Sequence, residues 1–149
     1  KQRSHFDTLD LQQLITDVAD FYEPLAEEKS IRLHVETTPA SLHGDKDLIF
    51  QAYANLLDNA IKFTPKGGEI TLTLKADKDG AKVIIEDTGS GVEEADLEKI
   101  FDRFYRAEKS RTTAGTGLGL SLVKAVIELH EGQIRVENKN PGLRIVTIL

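Results

Sequence analysis

The chain contains no cysteine, which excludes disulfides, thiolate metal sites and a cysteine nucleophile. No apolar run approaches the ~18 residues that a membrane-spanning helix needs, and the first residues lack the pattern of a signal peptide. Nowhere does GxxxxGK followed by Ser or Thr occur, so a Walker-type phosphate loop is ruled out. The four histidines, His5, His34, His43 and His130, share no spacing that would build a metal site, and each reads as structural. An excess of basic residues is also missing: 19 Lys and Arg stand against 25 Asp and Glu, a net charge of −6, which argues against nucleic acid as the main partner. What remains is 149 residues, suited to one domain with a single core. The start at Lys1 and the abrupt apolar end IVTIL suggest a domain cut from a longer protein, with residues 1–6 as a linker remnant.

The most informative stretch is Asp47–Thr64, DLIFQAYANLLDNAIKFT. At about 100° per residue, Ile49, Tyr53, Leu56, Leu57 and Ala60 share one face of a helix, while Asn55, Asn59 and Lys62 share another. Asn is a poor helix former, so this pair costs about 1 kcal/mol relative to Ala. Amide oxygens are hard ligands suited to Mg²⁺, and a lysine one turn on is placed to meet a phosphate on the same metal. A merely solvated polar stripe is the alternative.

Around this helix the chain alternates. Phe6–Leu11 reads as a short strand, and Asp10 caps a helix running to about Lys29, with Pro24 inside it as a candidate bend. Ile31–Thr37 reads as a strand and Pro39–Gly44 as a turn leading to the Asn helix, capped by Asp45 or Asp47. Glu69–Lys75 and Lys82–Glu86 are strands joined by an Asp79-Gly80 hairpin, and Glu93–Ile100 is a short helix. A last helix, stopped by Gly132, and two strands, Gln133–Glu137 and Leu143–Leu149, close the chain. The order implies an α/β sandwich on a mixed, largely antiparallel sheet.

Three further segments carry chemistry. Asp87-Thr88-Gly89-Ser90-Gly91 places a carboxylate at a strand end beside glycines that let a flat ligand approach, and Asp87 is able to accept from an exocyclic amine such as that of adenine. The same letters also make an ordinary Asx turn. Phe101-Asp102-Arg103-Phe104-Tyr105-Arg106 supplies aromatic anchors and two arginines, and the polar tract 107–114 reads as a lid. Gly115-Thr116-Gly117-Leu118-Gly119-Leu120 then opens a helix, whose free N–H groups and dipole make a phosphate cradle.

Together these segments resemble the ATP-binding catalytic domain of sensor histidine kinases: NLLDNAIKF resembles its N box, DTGSG the first glycine box, FDRFYR the F box and GTGLGL the second glycine box, in matching order. The resemblance implies the Bergerat fold, a mixed sheet of about five strands with three helices on one face. It implies ATP and Mg²⁺ as ligands, with Asn59 on the metal and Asn55, Lys62 and Arg106 as the catalytic set near the phosphates. Asp87 would meet the adenine amine between Gly89 and Gly91. Phe63 and Phe104 would pack near the nucleotide, and Gly115, Thr116, Gly117, Leu118, Gly119 and Leu120 would surround the phosphates. The implied partners are a dimerisation domain bearing the acceptor histidine and a response regulator receiver domain, with a cytoplasmic domain on a homodimeric parent anchored in the inner membrane. Two features depart from the family. His5 is followed by Phe-Asp-Thr-Leu rather than an acceptor motif, so the phospho-accepting histidine lies elsewhere, and Pro141-Gly142-Leu143-Arg144 lacks the usual GxGT turn.

Gyrase-like relatives carry a glutamate base four residues before the metal-binding asparagine. Here that position is Asn55, and an amide does not take a proton at neutral pH, so transfer to another nucleophile is favoured over water attack. An anti-sigma-factor-type serine kinase and a regulatory ATP-binding module are the alternatives. The isolated domain is expected to be a monomer that binds Mg-ATP yet hydrolyses it slowly. Rapid steady-state phosphate release by the purified domain would contradict this.

Overall fold

The computed structural model describes residues 5–102 and 119–149. Strand β1 (Asp7–Asp10) passes directly into helix α1 (Leu11–Glu28), where Asp10 serves as N-cap by accepting from the Gln13 N–H at 3.1 Å. α1 buries Leu11, Leu14, Ile15, Val18, Ala19 and Ala26, and Pro24 lies inside it without ending it. Ser30 adopts φ 58° and the Ile31 N–H reaches back to the Ala26 carbonyl at 2.8 Å, which turns the chain into β2 (Arg32–Glu36). β3 (Ser41–Gly44) occupies ground where the sequence suggested only a turn. It pairs antiparallel with β1, apart from the main sheet, and so short a strand shows its nature only through that distant partner.

Helix α2 (Lys46–Phe63) is the Asn helix. Asp45 caps its start, accepting from the Asp47 and Leu48 N–H groups at 3.1 and 3.2 Å. Its far end is held from outside, since the Lys29 ammonium donates to the carbonyls of Ile61 and Lys62, both at 2.9 Å. β4 (Glu69–Asp77) and β5 (Gly80–Asp87) form the expected hairpin, with Asp77 opposite Gly80. The short helix expected at Glu93–Ile100 is a single 3₁₀ turn, Glu94–Asp96. α3 (Gly119–Leu129) is stopped by Glu131 at φ 61° rather than by Gly132. Gly132 answers a different need, because a Cβ there would come within 2.4 Å of the Ile148 carbonyl oxygen. β6 (Gln133–Asn138) and β7 (Leu143–Ile148) end the chain.

The main sheet runs β2-β4-β5-β7-β6, with β2–β4 parallel and every other pair antiparallel. With three main helices on one face, it is the mixed α/β sandwich that the boxes implied. α2 packs centrally, between α1 and α3, and its Ile49, Ala52, Leu56, Leu57 and Ala60 join Ile70, Leu72 and Leu74 of β4 and Val83 and Ile85 of β5 in one core. Among the described residues no helix is long and apolar enough to cross a membrane.

One polar pair sits inside this core. The fully buried Tyr53 hydroxyl of α2 lies 2.6 Å from Thr147 Oγ1 of β7, and burial pushes the phenol well above its ordinary range despite that bond. Thr147→Val should cost about 1–2 kcal/mol, because it strands the buried Tyr53 hydroxyl, and Tyr53→Phe should cost less, because Thr147 Oγ1 keeps the Val83 carbonyl at 3.5 Å. The double variant should cost less than the sum, since it removes both partners, and urea denaturation of the four proteins closes that cycle.

Candidate nucleotide-binding site

α2 turns its second face away from the core. Asn55 and Asn59 are half-buried there, while Lys62 is exposed, its ammonium 3.1 Å from the Asp58 carboxylate one turn earlier. Gly119, the first residue of α3, stands beside this stripe: a Cβ at Gly119 would lie 3.9 Å from Asn59 Nδ2. The leading N–H groups of a helix have no partner within it, so an amide side chain and the positive end of a helix dipole share one location. Leu120 packs against the core just behind.

The C-terminal end of α2 forms a second wall. Phe63 is 47% exposed, and its carbonyl oxygen would be 2.5 Å from a Cβ at Gly89, so only glycine fits where this backbone passes the base loop. Gly89 is buried, and its N–H donates to Asp87 Oδ1 at 2.8 Å. Asp87 ends β5 between β4 and β7, with only 8% of its surface exposed. The Leu143 N–H donates to the same Oδ1 at 3.3 Å. Burial raises the Asp87 carboxyl above the usual carboxylate range, opposed by the Gly89 and Leu143 N–H groups and by the nearby charge of Lys139. Both bonds to this buried carboxylate from described residues fall on one oxygen, Oδ1.

The structure thus brings Asn59 to Gly119, Phe63 to Gly89, and Asp87 to Gly89. It sets Lys62 against Asp58. Phe104, Arg106, Gly115, Thr116, Gly117 and Leu118, with the expected lid, lie outside the described residues. Sequence reasoning placed a turn at Asn140-Pro141-Gly142 but not where it packs, which is behind Asp87. Gly142, at φ 103°, leaves no room for a side chain, because its Cβ would overlap the Asp87 carbonyl. Asn140-Pro141-Gly142 signals a turn in the sequence, but nothing there says that the turn packs on Asp87. His130 has structural partners: Nδ1 lies 2.8 Å from the Val126 carbonyl and Nε2 accepts from the Asp45 N–H at 3.0 Å.

Residues 44–149 match the family described as histidine kinase-, DNA gyrase B-, and HSP90-like ATPase. The chain is 39% identical over 133 residues to the probable sensor protein PcoS of Escherichia coli, covering 88% of this chain but 28% of PcoS. Among solved structures it is similar to the mycobacterial sensor histidine kinase MprB, with a TM-score of 0.86, 31% identity and coverage of 96% of this chain and 97% of that one. It is also similar to histidine kinase ThkA in complex with the response regulator protein TrrA, with a TM-score of 0.80, 28% identity and coverage of 95% of this chain and 40% of that one.

The Asp87 environment makes a stability prediction with a definite sign. A raised carboxyl favours the protonated form in the folded state, so its contribution is full below the unfolded-state value near 3.9 and is lost as pH rises through the folded one. Asp87→Asn, whose amide oxygen still accepts from Gly89 and Leu143, should therefore be at least as stable as the parent at pH 7. Its advantage should shrink toward pH 4. Thermal melts across that range check the trend, and a large loss of stability at pH 7 would contradict it.

Proposed function

The chain belongs to the histidine kinase-, DNA gyrase B- and HSP90-like ATPases, in the branch of the sensor histidine kinases, and from that premise we propose that residues 1–149 are a single catalytic domain that binds Mg-ATP and transfers its γ-phosphoryl group to a histidine on a separate dimerisation domain. Asp87 is the observation that carries this reading. Backbone N–H groups hold its Oδ1, so that Oδ2 is the atom to accept from the adenine amine. Gly89 and Gly91 flank the base.

At the other end of the nucleotide, the α3 N-terminus and the Asn55–Asn59 stripe meet the phosphates. Asn59 is the residue to hold Mg²⁺, which when bound offsets charge on the phosphate oxygens. Its amide oxygen suits this ion, which keeps several waters and takes few protein ligands. Lys62 and Arg106 add positive charge. The transfer itself breaks the bond from the γ-phosphorus to the β–γ bridging oxygen, forms a bond to an imidazole nitrogen, and leaves ADP. With Asn55 where a base would stand, water is not activated in competition.

The chain spans 28–30% of the length of curated relatives such as PcoS. The wider assembly is therefore part of the proposal: a homodimeric parent anchored in the inner membrane, a cytoplasmic catalytic domain, and onward transfer to a response regulator, as the ThkA–TrrA complex suggests by analogy. The serine-kinase and non-transferring alternatives are weaker, because the relatives named above are sensor proteins and histidine kinases.

Incubating the domain with an acceptor-histidine domain and γ-labelled ATP should yield acid-labile label on the acceptor, dependent on Mg²⁺. Asp87→Asn should weaken ATP binding by about 1.5–3 kcal/mol, the scale of a charge-assisted hydrogen bond, and leave GTP binding nearly unchanged. Calorimetry giving equal ATP and GTP affinities for the parent protein would refute the base assignment.

A further inference from the structure

The loop that follows Asp87 is not held by its own hydrogen bonds alone. Gly91 adopts φ 71°. The next residue, Val92, has both backbone groups bound by one side chain: Asn138 Oδ1 accepts from the Val92 N–H at 3.0 Å, and Asn138 Nδ2 donates to the Val92 carbonyl at 2.7 Å. A Cβ at Gly91 would come within 2.5 Å of Asn138 Oδ1 and 3.0 Å of the Gly142 carbonyl oxygen, so the loop lies directly on the clamp. Asn138 ends β6 opposite Leu143, whose N–H reaches Asp87. A primary amide mimics a strand neighbour here, offering one acceptor and one donor at the spacing of a peptide unit. An ionised carboxylate only accepts, and a hydroxyl would have to serve both groups from a single oxygen. Glu94 Oε1, 3.5 Å from Asn138 Nδ2, is the one further partner of the amide among the described residues.

We infer that Asn138 is a positioning residue for base recognition: by clamping Val92 it fixes the Gly89–Gly91 backbone and, through the shared β6–β7 turn, the aim of the Asp87 carboxylate. The inference rests on the nucleotide reading above and deepens it. The base loop is set before ligand arrives, so binding does not have to order it. Loss of the clamp should weaken discrimination between bases more than it weakens attraction for phosphates, which lie at the opposite end of the site.

Competition against a fluorescent ATP analogue, with ATP and GTP as competitors, tests this on the parent, Asn138→Ala and Asn138→Ser. Asn138→Ala should bind ATP roughly tenfold more weakly, the order expected when a partly buried pair of backbone groups loses its partner. Its GTP affinity should be nearly unchanged, so that the ATP:GTP ratio narrows, and the Val92 amide should exchange faster in the empty protein. Asn138→Ser, which keeps one bond, should fall between, and it carries the test should the alanine variant fail to fold. An unchanged ratio, or equal weakening of ATP and GTP, overturns the clamp and leaves the nucleotide reading standing. A parent protein indifferent to the base overturns that reading and the inference with it.

Discussion

Burying the Asp87 carboxylate is the constraint on which the rest of the site depends. A charge taken out of water at the end of a strand is costly unless donors meet it. Here they come from two separate places, the Gly89 N–H two residues along its own loop and the Leu143 N–H from the start of β7. That arrangement demands that the backbones of β5 and the β6–β7 turn approach until no side chain fits between them, hence Gly142. The hydrogen bonds spare the carboxylate part of its desolvation cost without removing it, and the carboxyl stays raised. A group left in that state gains from a ligand that brings a further donor.

α2 serves two masters. Its buried face is built from Ile49, Tyr53, Leu56 and Leu57, and that face sets the rotation of the helix. Once the rotation is fixed, Asn55 and Asn59 have no choice of direction, and the poor helix propensity of asparagine is overridden by packing on the far side. The polar face is a by-product of the core's geometry, held as rigidly as the core itself.

How much of this was legible in the sequence follows from the range of the forces involved. Periodicity located α1, α2, β4 and β5, because burial on one face leaves a repeating mark, and the caps Asp10 and Asp45 stand where short-range chemistry puts them. β3 escaped notice since a strand of four residues next to Pro39 lacks room for alternation. The 3₁₀ turn at Glu94–Asp96 replaced the helix expected over Glu93–Ile100. Asp87, Gly89 and Asn59 were readable as local patterns; Asn138, Gly142 and Leu143 were not, because their role arises only when β6 and β7 fold back beside β5. The side chain of Lys29 belongs with these, reaching carbonyls far along the chain.

Lys29 and His130 have a joint mechanical effect. One, from just past the end of α1, grips the last carbonyls of α2; the other, from just past the end of α3, holds the backbone N–H of the residue that begins it. α2 therefore behaves as a beam fastened at both ends to different supports. A slide along its axis would have to break both fastenings together, whereas a tilt that lifted one end would break the fastening at that end. Displacement of the flanking helices, by contrast, passes straight into the beam: a shift of α1 moves the end near Phe63, and a shift of α3 moves the capped end at Asp45.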